Sequence, residues 1–258
     1  MATPAAFPAA AVAWLAPTRP GSVLAIGPAS APTASRFEQL GNRVTITARA
    51  PEDVRLACAR HAGFHGVAAA PDALPFLPCS FDAVLVSQGM HQLPPGLVLA
   101  EFARVLVPGG RLAVVATFRD DSVPWVRRLA AILQRYDPDA MRVADEAAAT
   151  IPPSAHFPEV EQRDFRRWVP ITRDGMLSLV SSAPRLANLD ISVAEPLLAE
   201  VAELYDSSAP RAEPLLLPYA VRCSRAVVDH AELSSVLRLP QDGLQINLQS
   251  RPFVSDSD

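Results

Sequence analysis

The first half of this chain is dominated by short apolar runs separated by stretches of helical spacing, a pattern few folds accommodate. "SVLAIG" ends in Gly27 and is followed by "TASRFEQLG", which closes at Gly41, so the pair predicts a strand and then a helix. "RVTITA" predicts a second strand. Pro51 opens a helix over "PEDVRLACARHAG", whose Glu52 and Asp53 sit in the first turn, at the positive end of the helix dipole. "FHGVAAA", "FDAVLVSQ" and "RLAVVATF" predict three further strands, with a helix over "PGLVLAEFARV" and a Pro108-Gly109-Gly110 turn before the last. Alternation of this kind gives an α/β, doubly wound, parallel sheet.

Half of the 258 residues are hydrophobic and 19% are charged, enough apolar material for a covered core. The net charge of −4 argues against nucleic acid as a partner, because a phosphate-tracking surface needs clustered positive charge. All 23 basic residues are Arg, a bias we read as genomic composition. Cys58, Cys79 and Cys223 have neither disulfide nor metal-ligand spacing and read as buried thiols in a reducing compartment. "MATPAAFPAAAVAWLAP" lacks the basic start of a signal peptide, and no apolar run is long enough to span a bilayer, so the expected location is cytoplasmic.

Beyond the fifth strand, "SVPWVRRLAAILQRY" predicts a helix, "EQRDFRRWVPI" and "LLLPYAVRCSRA" predict two late strands, and helices are expected over about Thr172–Ala187 and Val193–Tyr205. The chain therefore divides into a domain over 1–228 and an extension over 229–258. The extension holds "LQINL", an alternating run suited to sheet-edge pairing, so it reads either as an association element for a homo- or heterodimer or as a frayed tail.

Taken together, "DALPFLPCSFDAVLVSQGMHQL" and "LAEFARVLVPGGRLAVV" resemble the class I S-adenosylmethionine-dependent methyltransferases, especially the branch acting on small molecules. "FRDDSVPWVRRL" is similar to that branch's Arg-Asp-acidic-x-Val-Pro-Trp segment, and "LPYAVRCSRA" to its last strand. The resemblance implies a Rossmann-like, seven-stranded, mostly parallel sheet with a final antiparallel hairpin. It also implies S-adenosylmethionine as cofactor, bound beyond the carboxyl ends of the strands near the switch in strand order. Family members usually carry a longer N-terminal segment ahead of the helix matching "AAAVAWLA", so a more open pocket mouth is expected here.

The residues at the matching positions depart from the family's pattern. Its first strand ends in an acidic residue followed by Gly-x-Gly-x-Gly; here stand Ala25, Gly27, Pro28, Ala29, Ser30 and Ala31. Two prolines, Pro28 and Pro32, remove N–H donors from a loop whose use is to donate. The acidic residue that grips the ribose aligns with Ala48, followed by Arg49, and the one that meets the adenine amino group aligns with Ala70, with Asp72 and Ala73 close behind. Ser87 ends the fourth strand. Three missing carboxylates, at about 1.5–3 kcal/mol for each charged contact, weaken binding on the order of a thousandfold. Cofactor binding is expected to be weak or absent.

His91, just beyond the fourth strand, matches a family His and reads either as a proton acceptor or as a strand-end cap. Arg119, Asp120 and Asp121 either orient a carboxylate substrate or cap the next helix through Asp121 or Ser122. Trp14, Trp125 and Trp168 read as core or pocket-wall aromatics. Three functions follow: a non-catalytic binding or regulatory protein with a small-molecule or protein partner, an active small-molecule methyltransferase with an atypical pocket, and an NADP-binding protein in which Arg49 meets the 2′-phosphate.

Overall fold

The computed structural model describes residues 7–120, 122–138, 150–183, 189–209 and 214–231. Seven strands form one sheet in the order β3-β2-β1-β4-β5-β7-β6: β1 Ser22–Ile26, β2 Arg43–Ala48, β3 Phe64–Ala68, β4 Phe81–Ser87, β5 Leu106–Arg119, β6 Val160–Ile171 and β7 Leu215–Val227. The first five run parallel, and β7 inserts antiparallel between β5 and β6. This is the mostly parallel sheet with a final antiparallel hairpin that the family resemblance implies. The strand order reverses between β1 and β4, which leaves a crevice at their carboxyl ends.

Central and edge strands differ as burial requires. In β1 and β4 nearly every residue is buried, because helices cover both faces and side chains of both parities need an apolar neighbour. In β3, at the sheet edge, only Phe64 is buried. The helices are α1 Ala9–Leu15, α2 Ala31–Gln39, α3 Pro51–Arg60, α4 Pro95–Val105, α5 Pro124–Gln134, α6 Arg173–Ser181 and α7 Ile191–Ser208. Helices α2 to α5 each carry Pro in the first turn, where its missing N–H has no intrahelical partner to lose. Gly41 (φ 86°) ends α2, and Asn42 closes it: its Nδ2 donates to the Phe37 carbonyl at 2.8 Å and its Oδ1 accepts from the Gly21 N–H at 3.0 Å.

Two apolar layers sandwich the sheet. Leu15 and Phe37 pack with Ala25, Leu85 and Ala113 on the α1/α2 face, and Phe102 packs with Leu24, Val84 and Leu112 on the α4 face. Full burial of each large side chain contributes about 1.5–3 kcal/mol. A third cluster gathers α5, α6 and α7 around Leu215 and Leu217 of β7. Arg225 fastens α1 to β7. Its guanidinium lies 4.5 Å from the Trp14 ring centre, donates to the Trp14 carbonyl at 2.8 Å and pairs with Glu161.

Three expectations need correction. Only Cys223 is a buried thiol; Cys58 is half-buried, and Cys79 is exposed in the turn before β4, at φ 54°. Trp168 is 44% exposed, because the period of β6 turns it away from the face that carries Phe165 and Val169. The helix after β5 has Val123 at its N-cap without a side-chain cap, so Ser122 does not cap it. Asp121, the side chain of Arg119 and the extension from 232 onward lie outside the described residues.

Candidate functional site

One serine bridges the first loop and the end of β4 at the crevice. After β1 the chain turns at Gly27 (φ 75°, ψ 156°), a conformation that favours glycine, and then makes a single tight turn over Pro28–Ser30 directly into α2. The Gly27 N–H donates to the Thr47 carbonyl at 2.7 Å, Ser30 N–H to the Gly27 carbonyl at 3.1 Å, and Ala31 N–H to the Pro28 carbonyl. Ser30, fully buried, donates through its Oγ to the Ile26 carbonyl at 2.6 Å and accepts from the Ser87 N–H at 2.9 Å. The Ser87 hydroxyl in turn reaches Thr33 Oγ1 at 3.4 Å. The hydroxyl of Ser30 thus ties the first loop to the end of β4.

Along the other strand ends, the positions expected to be acidic are apolar and packed. Ala25 is 0% exposed and Ala48 8%. Ala70 and Ala73 form a small bridge in which the Ala73 N–H donates to the Ala70 carbonyl at 3.1 Å. Arg49 and Asp72 meet across the ends of β2 and β3 at 2.9 Å. Open space lies over Gly27, where an added Cβ would meet nothing within 4 Å.

The segment after β3 is held from below by α4. Arg104 donates to the Phe76 carbonyl at 2.8 Å and the Leu74 carbonyl at 3.0 Å, and Glu101 accepts from the Leu74 N–H at 2.7 Å and from Arg104. The Arg104 hydrogen bonds, opposed by burial and helped by the Leu74 N–H, hold the Glu101 carboxyl below its usual range. His91 stands exposed in a single turn over Met90–Gln92. Asp120 accepts from the Ser122 N–H at 3.0 Å and pairs with Arg166 at 3.2 Å. The Ser122 hydrogen bonds, against the cost of burial and with Arg166 beside it, lower its carboxyl as well.

A cavity of about 790 Å³ opens from the end of β4 over the α1/α2 face of β5, β7 and β6, with α2 as its wall. Ser87, Gln88, Thr117, Arg167 and Tyr219 line it. Gln88 takes a left-handed φ of 58°, rare for a residue with a side chain, and is pinned there by its N–H to the Val115 carbonyl at 2.8 Å and its Nε2 to the Thr117 carbonyl at 3.3 Å. Of the residues predicted from the sequence, Gly27, Ala29, Ser30 and Ser87 come together at the crevice or the cavity, Ala48 ends β2 next to the Thr47 carbonyl that accepts from Gly27, Arg49 and Asp72 pair beyond it with Ala73 adjoining, and His91 is exposed outside the cavity lining.

The chain is similar to known proteins in family and fold. Residues 24–114 match a family model described as a methyltransferase domain. An uncharacterized methyltransferase of Mycobacterium tuberculosis is 31% identical over 227 residues, 86% of this chain and 89% of the other. The chain belongs to the S-adenosylmethionine-dependent methyltransferase family. A second relative, an uncharacterized methyltransferase of Schizosaccharomyces pombe, is 29% identical over 141 residues, 55% of each chain. The fold is shared with a protein assigned as a type II methyltransferase from Anaeromyxobacter dehalogenans, at a TM-score of 0.63 and 20% identity over 88% of this chain and 97% of that one.

Within this methyltransferase fold, sequence reasoning missed Arg167 and Tyr219. The signal was present in "RDFRRWVPI": alternation puts Arg167 on the face of Phe165 and Val169, opposite Arg166 and Trp168. Its partner Tyr219 follows only from the register that sets the two side by side.

Proposed function

We propose that this chain is a methyltransferase-fold protein that has given up the family's usual grip on S-adenosylmethionine and serves as a non-catalytic, ligand-binding or regulatory member in the cytoplasm. The observation that carries the reading is the serine-closed loop. A glycine loop that receives a cofactor keeps N–H groups free to donate; here those of Gly27, Ser30 and Ala31 are spent within the protein, and Pro28 and Pro32 have none. The strand ends that would accept from the ribose and the cofactor's ammonium group carry methyl groups at Ala48 and Ala25. Asp72, the carboxylate nearest in sequence to the position expected to meet the adenine, is engaged by Arg49. These residues fit S-adenosylmethionine poorly.

A second reading, an active methyltransferase acting on a small molecule, is favoured by the open space over Gly27, which leaves room for a ligand to approach the backbone. A nicotinamide dinucleotide has less support, because Arg49 already has a carboxylate partner. Titration calorimetry with S-adenosylmethionine decides between them. The expected dissociation constant is on the order of 0.1 mM or weaker, from the loss of several charged contacts. Low-micromolar binding would overturn the proposal in favour of the second reading.

A further inference from the structure

The cavity contains a cation that no carboxylate among the described residues neutralises. Arg167 lines it from β6, and its Nε is buried without an acceptor among the described residues. No described carboxylate pairs with it, unlike its neighbour Arg166, which has Asp120. A buried donor of this kind is costly to leave unmade, and guanidinium groups kept so are ordinarily matched by an anion. Burial lowers the Arg167 pKa, Tyr219 opposes that, and the charge of Arg36 adds to it.

One further charged side chain among the described lining residues has the same sign. Arg36, from α2, also faces the cavity and meets only the neutral Gln39 amide, at 2.7 Å. His61 lines the same space, and no Asp or Glu does. Val115, Val169 and Phe7 give the cavity apolar wall, and Gln88, with its left-handed backbone, also lines it. At about 790 Å³ the space suits a small organic molecule.

We propose that this cavity binds a small organic carboxylate, its carboxylate group held by the forked guanidinium of Arg167 with Arg36 as a second cation, and its apolar body against Val115, Val169 and Phe7. A guanidinium presents paired N–H groups that match a carboxylate's two oxygens, and the apolar wall accommodates the remainder. The inference rests on reading the protein as a ligand-binding member and names the ligand's chemistry.

The test uses hexanoate, benzoate and 3-phenylpropionate as probes, with 3-phenylpropanamide as the uncharged counterpart, on the full chain, by thermal shift and ligand-observed NMR. At least one carboxylate should bind at concentrations up to about 10 mM and raise the melting temperature. The amide should bind at least about tenfold more weakly, and Arg167→Gln should weaken the carboxylate by a similar factor. Without ligand, Arg167→Gln should melt no lower than the native protein, since it removes an unmatched charge; a structural arginine would give a lower melting temperature. Should Arg167→Gln not fold, Arg167→Lys, which keeps the charge and loses the fork, must still weaken binding.

Equal binding of acid and amide, unchanged binding in both variants, or no carboxylate binding at all would each overturn the proposal. So would S-adenosylhomocysteine binding that Arg167→Gln abolishes, since the guanidinium would then serve the cofactor's own carboxylate. The variant leaves Gly27, Arg49 and Asp72 untouched, so this inference and the cofactor reading can fail separately.

Discussion

Ser30→Ala tests whether one hydroxyl holds the first loop to the end of β4. The side chain is 0% exposed and makes two hydrogen bonds, donating to the Ile26 carbonyl at 2.6 Å and accepting from the Ser87 N–H at 2.9 Å. Truncation leaves a buried N–H without an acceptor, at about 1–3 kcal/mol, and removes a carbonyl's partner, at about 0.5–1.5 kcal/mol. Alanine fits the space, so no steric term offsets the loss. The expected destabilisation is about 3 kcal/mol, which for a chain of this size lowers the melting temperature by roughly 6–12 °C. Ser35→Ala on the same helix supplies the control: its hydroxyl donates to the Pro32 carbonyl at the surface, and the change should stay within about 0.5 kcal/mol. Urea unfolding followed by circular dichroism measures both. A Ser30→Ala loss below about 1 kcal/mol, near the control, would refute the claim that this hydroxyl holds the loop against β4.

Glu101 should make stability depend on acid. Its folded pKa lies below the unfolded value, so its contribution is full above roughly pH 4.3 and is lost as pH falls through the folded value. Glu101→Gln should therefore cost about 1–2 kcal/mol at neutral pH, and the gap to the native protein should close on acidification; a gap constant with pH would contradict the ionic role. Thiol labelling should separate the three cysteines. Exposed Cys79 should react with iodoacetamide in the native protein at pH 8, whereas Cys223, with its thiol pushed up to about 12 by burial and then by the Asp164 charge, should react only after unfolding. Native-state modification of Cys223 detected by mass spectrometry would count against its place in the core.

The sheet was legible in the sequence because period and burial are local properties. Runs such as "VLAI" and "AVLV" have no polar residue to face water, so they read as central strands, and their helical connections give a parallel sheet; the switch between β1 and β4 was implied by the family resemblance alone. The missing carboxylates at Ala25, Ala48 and Ala70 could be counted in the same way, since a residue type at a strand end is either present or not. The sequence by itself could not say where the Ser30 hydroxyl goes, because its partner Ser87 is 57 residues away and reaches it only when β1 and β4 lie side by side. Nor could it set Arg167 beside Tyr219 or leave the described cavity lining around it without a carboxylate, since those depend on strand register and on how α2 stands over the hairpin. Alternation assigns a side chain to a face; only tertiary packing decides whether that face ends in core, solvent or a cavity.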